Sequence, residues 1–219
     1  MTYKHVVNVG GFRYTKELVI GAVILLTLTG VYFGYRFYNN SQEHYAHRLF
    51  AQNLEEYERV MQEGKAEDWA SMETLFKLGY DQYSKSSLAP YFLIYQAESL
   101  EKQGKQGSLD LLDKAVNLMS SSSPLLFVYK TKLALMRLDA SDMATHKIGV
   151  EDLKVLAADT KNPNNDVAAY YLGLFYWTHD NVVKAQEAWK PLFELQKTTN
   201  NLGQSPWAAL AQEKLAQLA

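Results

Sequence analysis

Apolar positions along most of this chain recur at three- and four-residue steps, the spacing of amphipathic helices. Between residues 40 and 64 they alternate with glutamates and arginines, and the run contains Tyr45, Leu49, Phe50, Leu54, Tyr57 and Met61. A second run covers about 67 to 84, with Trp69, Met72, Phe76 and Tyr80 on one face. The pattern therefore predicts an all-α fold, in which long helices bury one face each.

Two further helices are predicted to begin at prolines. Pro90 and Pro124 each follow a serine-containing segment, and proline suits the first turn because its missing N–H has no helical partner there. The two prolines lie 34 residues apart, and Tyr95 and Tyr129 keep the same spacing. Since the glycine-containing segment 104–107 separates two apolar runs, one period holds a helix, a turn and a second helix.

A two-helix period of 34 residues is that of tetratricopeptide (TPR) repeats, so we predict a TPR-like α-solenoid of helical hairpins over 39–219. The repeat pattern fits best over 166–199. The small residues in that segment predict a close helix approach, and the bulky ones fill the space beside it. The predicted packing residues are Leu172, Gly173, Tyr176, Ala185 and Trp189. Pro191 is expected to interrupt the second helix of this pair.

The same register yields a candidate partner groove. Tyr170, Leu174 and Trp177 would face the concave surface of the solenoid, where such folds bind peptides or partner helices. Alternatively, a neighbouring helix covers these side chains and they belong to the core. The sequence leaves both interpretations open.

The segment 18–35 contains no charged residue and would form a helix of about 27 Å, close to the thickness of a bilayer core. With the aromatic residues that follow, it predicts a transmembrane anchor over 18–38. A cleaved signal would need small residues where bulky rings stand, and a buried helix would need more than the 17 preceding residues. Three basic residues precede the uncharged segment 18–35 and two follow it, which favours a cytosolic tail over 1–17.

Composition and residue spacing argue against several kinds of binding site and reaction. The formal net charge of -2 leaves no basic excess for binding nucleic acid, and the absence of cysteine excludes disulfides and thiolate metal sites. His44 and His47 lack a third ligand nearby, and 104–108 lacks the spacing of a phosphate-binding loop. We therefore expect no enzymatic activity, no metal and no cofactor.

The arrangement as a whole resembles the ancillary SecYEG translocon subunit family of bacterial envelopes. The shared features are a short tail, one span ending in aromatic residues, a long first helix, and TPR-like hairpins with a Ser205-Pro206-Trp207 helix start near the C-terminus. The resemblance implies a non-enzymatic inner-membrane protein with a periplasmic domain. Its expected partners are the Sec translocon and a membrane-anchored periplasmic prolyl isomerase, in a chaperone network for exported chains. An assembly factor of another envelope complex, in outer-membrane or secretion machinery, is the alternative.

Overall fold

The computed structural model describes residues 15–198 and 205–217, apart from the side chains of 15–20, 22, 63, 66, 67 and 194–198. All regular structure in these ranges is helical. The helices are α1 (Thr15–Glu63), α2 (Ala66–Gln82), α3 (Ala89–Lys102), α4 (Ser108–Leu118), α5 (Leu126–Leu138), α6 (Met143–Ala158), α7 (Asn165–Thr178), α8 (Val182–Thr198) and α9 (Pro206–Ala216). The prediction of an all-α fold is confirmed.

Helix α1 joins the predicted anchor to the first amphipathic helix without a break. It ends at Glu63; the next residue, Gly64, still donates its N–H to the carbonyl of Val60 at 2.8 Å, and its positive φ of 70° turns the chain out of the helix. Among the described residues, no helix combines the length and the apolar character needed to cross a membrane. The predicted tail up to residue 14 and the side chains of 18–20 and 22 in the predicted anchor lie outside that description.

The nine helices in the described ranges form a stack of hairpins. Each helix packs against the next in the chain, α5 also contacts α7, and α9 lies against both α7 and α8. The hairpins are therefore α1–α2, α3–α4, α5–α6 and α7–α8, and α9 covers the last of them. Because each hairpin touches mainly its neighbours, the core is a row of clusters, which is the organisation of a TPR-like solenoid.

Three glycines mark the closest helix contacts. A Cβ atom at Gly79 would lie 2.3 Å from the ring of Phe92, and one at Gly149 would lie 2.8 Å from the carbonyl oxygen of Ala134. At Gly173 the added atom would lie 2.1 Å from Nε1 of a tryptophan in the facing helix. Each glycine belongs to a different pair of helices, so the stack depends on glycine at three separate contacts.

The prolines define helix starts less uniformly than the sequence predicted. Pro90 and Pro206 lie in the first turns of α3 and α9, whereas Pro124 lies in the turn before α5. The prediction that Pro191 interrupts its helix is wrong, because α8 continues through it. The ring of Pro191 is exposed while the adjacent Leu192 is buried, so burial offsets the hydrogen bond that proline removes.

The loop between α6 and α7 is held by a buried amide. Asn162 is 2% exposed, its Nδ2 donates to the carbonyl of Leu156 at 2.9 Å, and its Oδ1 accepts from the N–H of Asn164 at 2.9 Å. We expect Asn162→Ala to lower the free energy of unfolding by about 1 to 3 kcal/mol, because it leaves both backbone groups without their partner. Urea denaturation would measure this. The exposed Asn117→Ala is the control, and an equal effect at both positions would contradict the prediction.

Candidate functional site

The first helices of three successive hairpins, α1, α3 and α5, form one side of the stack, which we term the first-helix surface. On α3, Tyr91, Tyr95 and Glu98 follow one another at steps of four and three and share one face. These three residues are only half-buried, whereas most of the remaining α3 side chains belong to the core. This face of α3 is therefore the part of the helix that is available to a partner.

Glu98 connects all three helices. Its Oε2 accepts a hydrogen bond from the hydroxyl of Tyr57 in α1 at 3.1 Å, and its Oε1 accepts one from Nζ of Lys132 in α5 at 2.7 Å. Lys132 also lies 3.8 Å from a carboxylate oxygen of Glu101. Since the Glu98 and Lys132 side chains are 23% and 32% exposed, this ion pair is partly shielded from water and orders the surface around it.

Aromatic rings pack next to the link between Glu98, Tyr57 and Lys132. The ring of Tyr95 stacks on Phe76 with centroids 5.1 Å apart and meets the ring of Tyr57 edge-on at 4.9 Å. The hydroxyl of Tyr91 lies 3.2 Å from Oγ of Ser123, which ties α3 to the turn before α5. Rings held in this way present large contact area with little conformational entropy left to lose, as in many protein interfaces.

The same surroundings raise the pKa of three tyrosines. Burial is the main cause for Tyr57, Tyr95 and Tyr129, and the nearby Glu98 carboxylate adds to it by disfavouring a second negative charge. For Tyr129 the pKa rises to about 12. The folded state therefore favours the neutral phenols.

We expect an alkaline loss of stability from these tyrosines. Because their pKa values are higher in the folded than in the unfolded chain, their contribution is complete below about pH 10 and is lost as the pH rises through the folded values. Melting temperatures measured across this range should fall less steeply for Tyr129→Phe than for the unchanged protein. The exposed Tyr45→Phe is the control, and identical slopes for all three proteins would contradict the assignment.

The predicted groove residues lie beneath the last helix. Tyr170 is 8% exposed and its ring centroid lies 5.1 Å from that of Trp207 in α9. Nζ of Lys214, also in α9, lies 5.2 Å from the ring centre of Trp177. Leu174 is half-buried and packs in the same cluster. Tyr170 and Trp177 therefore contact α9, and Leu174 packs in the same cluster, which agrees with the core interpretation of these residues.

Gly173, Tyr176, Ala185 and Trp189 of the predicted packing residues lie at the contact between α7 and α8, whereas Leu172 packs in the cluster that α7 shares with α5 and α6. Ala185 and Trp189 are fully buried, and the Nε1 atom of Trp189 donates to the carbonyl of Tyr170 at 2.9 Å. Gly173 faces this indole and Leu172 is 6% exposed. Tyr176 lies at the edge of the contact, where Nζ of Lys184 is 5.5 Å from the centre of its ring. These side chains hold the hairpin together.

Sequence reasoning missed the ion pair at the centre of the first-helix surface. The signal was present, because Glu98 and Lys132 are separated by the same 34 residues as Tyr95 and Tyr129. Equivalent positions in adjacent repeats come side by side in a solenoid, so opposite charges one period apart predict a contact between repeats. A repeat-by-repeat comparison of charges would have found it.

A second ion-pair cluster lies on the other side of the stack. Arg137 donates to Asp152 in α6 at 2.5 Å and to Asp113 in α4 at 2.6 Å, beside a cavity of about 250 Å³. Both ends of the guanidinium are thus engaged by carboxylates. We interpret this cluster as a link between helices and not as an anion site.

The candidate metal ligands lie on α1. His44 is exposed, and the Nε2 atom of His47 lies 3.5 Å from the Glu43 carboxylate one turn earlier. No cluster of three or more His, Asp or Glu side chains suited to a metal occurs in the part of the chain that the structure describes. The segment considered above as a phosphate-binding loop is the turn that joins α3 to α4, where Gly104 and Gly107 adopt positive φ.

Comparison with known proteins supports the fold. No protein family and no curated protein matches this sequence. One similar solved structure is that of a protein from Podosopora anserina described as a kinesin light chain with nearly identical TPR-like repeats. It is 18% identical to this chain, with a TM-score of 0.56, over 78% of this chain and 85% of the other. At this identity the likeness shows the fold alone, which is a TPR-like helical repeat.

Proposed function

We propose that this protein is a non-enzymatic scaffold that binds a partner protein through the first-helix surface. The link from Tyr57 through Glu98 to Lys132 carries this proposal, because it fixes three neighbouring helices through side chains that stay partly exposed. An ordered, half-exposed set of tyrosines and charges suits recognition of an extended chain or a helix. A protein-binding role also agrees with the likeness to TPR-like repeats.

We further propose that α1 anchors the scaffold in a membrane over residues 18–38. Large apolar side chains in this part of α1 are each between 55% and 77% exposed: Val23, Ile24, Leu25, Leu26, Leu28, Val31, Tyr32, Phe33, Tyr35, Phe37 and Tyr38. They include four consecutive positions, 23–26, and so surround the helix. A single partner helix would cover one side only, whereas a bilayer would cover them all.

The proposed orientation places residues 1–17 in the cytosol and the helical repeats in the periplasm of a bacterial cell. It rests on the three basic residues before the uncharged segment 18–35 against two after it. We expect protease added to spheroplasts to digest the repeats of the full-length protein. Protection of the repeats in intact spheroplasts, followed by digestion after lysis, would reverse the orientation.

The proposed partners are the Sec translocon and a membrane-anchored periplasmic prolyl isomerase, with a role in the chaperone network for exported chains. The support is the architectural resemblance of the sequence to ancillary translocon subunits. An assembly factor for outer-membrane or secretion machinery, built on the same repeats, is the competing assignment. Both would bind proteins without turnover of a small molecule, so the identity of the partner separates them.

Site-specific crosslinking in intact membranes tests both the surface and the partner. A photo-reactive residue at Val128 lies one helical turn from Lys132 on α5, and the same residue at Val183 on α8 is the matched control. Both valines are exposed, at 44% and 66%. Adducts with translocon subunits or the isomerase from Val128 alone would support the proposal. Adducts with outer-membrane or secretion components would favour the alternative, and equal adducts from both positions would contradict the first-helix surface.

A further inference from the structure

A polar cavity of about 470 Å³ lies where α1 enters the stack of hairpins. One wall is a single face of α1, because Tyr35, Tyr38 and Gln42 follow at helical spacing and Asn39 and Glu43 lie beside them. The other wall is the end of α2 and the loop after it, over residues 82–86. None of its lining residues belongs to the link from Tyr57 through Glu98 to Lys132.

The lining is suited to a zwitterion. It contains no aliphatic side chain and consists of tyrosines, amides and serines with one carboxylate and one ammonium, Glu43 and Lys85. Both oxygens of Glu43 lie 3.2 Å from the N–H of Ser87, which fixes the carboxylate at the wall. The exposed Lys85 makes no hydrogen bond or ion pair with any residue that the structure describes. One positive and one negative group are thus presented to the same space.

Glu43 is ionised at neutral pH. Partial burial alone would raise the pKa of this carboxyl, but hydrogen bonds from Ser87 and Ser86 outweigh that effect and hold the pKa below its usual value. An ionised carboxylate held at the wall of a cavity favours a ligand that brings N–H donors.

The position of the cavity along α1 matches the headgroup layer of a bilayer. This step rests on the membrane anchor proposed above. From Tyr35 to Glu43 the helix rises about 12 Å, so the cavity spans the headgroup layer, which is roughly 5 to 8 Å thick, and extends a few ångströms into the edge of the hydrocarbon. The tyrosine end of the cavity would therefore meet the acyl boundary, and the Glu43 end would lie at the outer edge of the headgroups.

We propose that this cavity binds a phospholipid headgroup that carries both a phosphate and a primary amine, as in phosphatidylethanolamine. Lys85 and the serine hydroxyls contact the phosphate, and the carboxylate of Glu43 accepts hydrogen bonds from the ammonium group. An anionic headgroup without an amine offers Glu43 no N–H donor. A quaternary ammonium has no N–H to donate, so a choline headgroup fits this carboxylate less well.

Such binding would orient the repeats relative to the membrane. Helix α1 runs unbroken from the anchor into the first hairpin, so it provides no flexible linker. A lipid held between α1 and the 82–86 loop joins the loop to the bilayer surface on one side of the helix. The first-helix surface would then face a fixed direction above the membrane.

Full-length protein in phosphatidylcholine nanodiscs that contain a minor share of phosphatidylethanolamine or phosphatidylglycerol provides the test. Native mass spectrometry would count the lipids retained by each protein molecule. We expect selective retention of phosphatidylethanolamine, and a loss of about tenfold in its apparent affinity for Lys85→Ala, as a charge-assisted hydrogen bond is worth enough for that factor. Lys77→Ala removes an exposed lysine of α2 that lies outside the cavity, and it should leave retention unchanged.

The outcomes separate the headgroup site from the anchor. Failure of the protein to float with vesicles of any composition would contradict the anchor and, with it, the headgroup site. Stable insertion without preference among the three lipids would contradict the headgroup site alone. Equal binding of free glycerophosphoethanolamine to protein in detergent would make the ligand a soluble one and overturn the lipid assignment.

Discussion

Gly173→Ala should lower the free energy of unfolding of the repeats by about 1 to 3 kcal/mol, the usual cost of overpacking. The added Cβ would lie 2.1 Å from Nε1 of Trp189, an indole that is fully buried and hydrogen-bonded to Tyr170, so it has no room to move. Either α7 and α8 separate or the tryptophan loses its hydrogen bond. Chemical denaturation of the purified full-length protein would measure the change.

Gly30→Ala is the matched control, because a Cβ at that position has nothing within 4 Å. Alanine is favoured over glycine in a helix by about 1 kcal/mol, so helix propensity predicts a neutral or favourable effect at both sites. Only the contact with Trp189 makes the substitution at Gly173 destabilising. Equal behaviour of the two variants would show that the close approach of α7 and α8 is not what requires glycine.

The double variant Tyr170→Ala with Trp177→Ala should destabilise the C-terminal end of the stack by several kcal/mol. Removal of a buried aromatic ring costs about 3 to 5 kcal/mol, and Tyr170 is 8% exposed between Trp189 and Trp207. Trp177 is only half-buried, and its Nε1 has no hydrogen-bond partner among the described residues, so its share is smaller. Urea denaturation monitored by circular dichroism would report the loss, and α9 should detach first.

Tyr45→Ala, which removes an exposed ring from α1, is the control for the loss of an aromatic side chain. Partner crosslinking from Val128 should persist in the double variant at temperatures where its first three hairpins stay folded. A double variant that keeps its stability but loses partner capture would place Tyr170 and Trp177 in a binding groove after all. That result would contradict the packing of α9.

Local patterns determined the helices. The three- and four-residue spacing of apolar side chains in α2 and the proline in the first turn of α3 act through neighbours in the sequence, so they could be read without knowledge of the fold. The 34-residue period likewise predicted hairpins, because each hairpin repeats the same local pattern. The effect of Pro191 on α8 could not be predicted in this way. Whether α8 tolerates this proline depends on the burial of the adjacent Leu192, and burial is a property of the tertiary structure.

Only the tertiary structure decided which faces meet. Tyr170 and Trp177 lie where a solenoid groove would be, and only the return of α9 onto α7 covers them. Glu98 becomes central because α1 and α5 bring a phenol and an ammonium to it from positions 41 and 34 residues away in the chain. Charge and ring contacts between repeats depend on how the hairpins stack. The stacking depends in turn on positions where facing helices approach too closely for any side chain larger than that of glycine. The sequence alone determined the elements, whereas the stacking geometry determined the surface that they present.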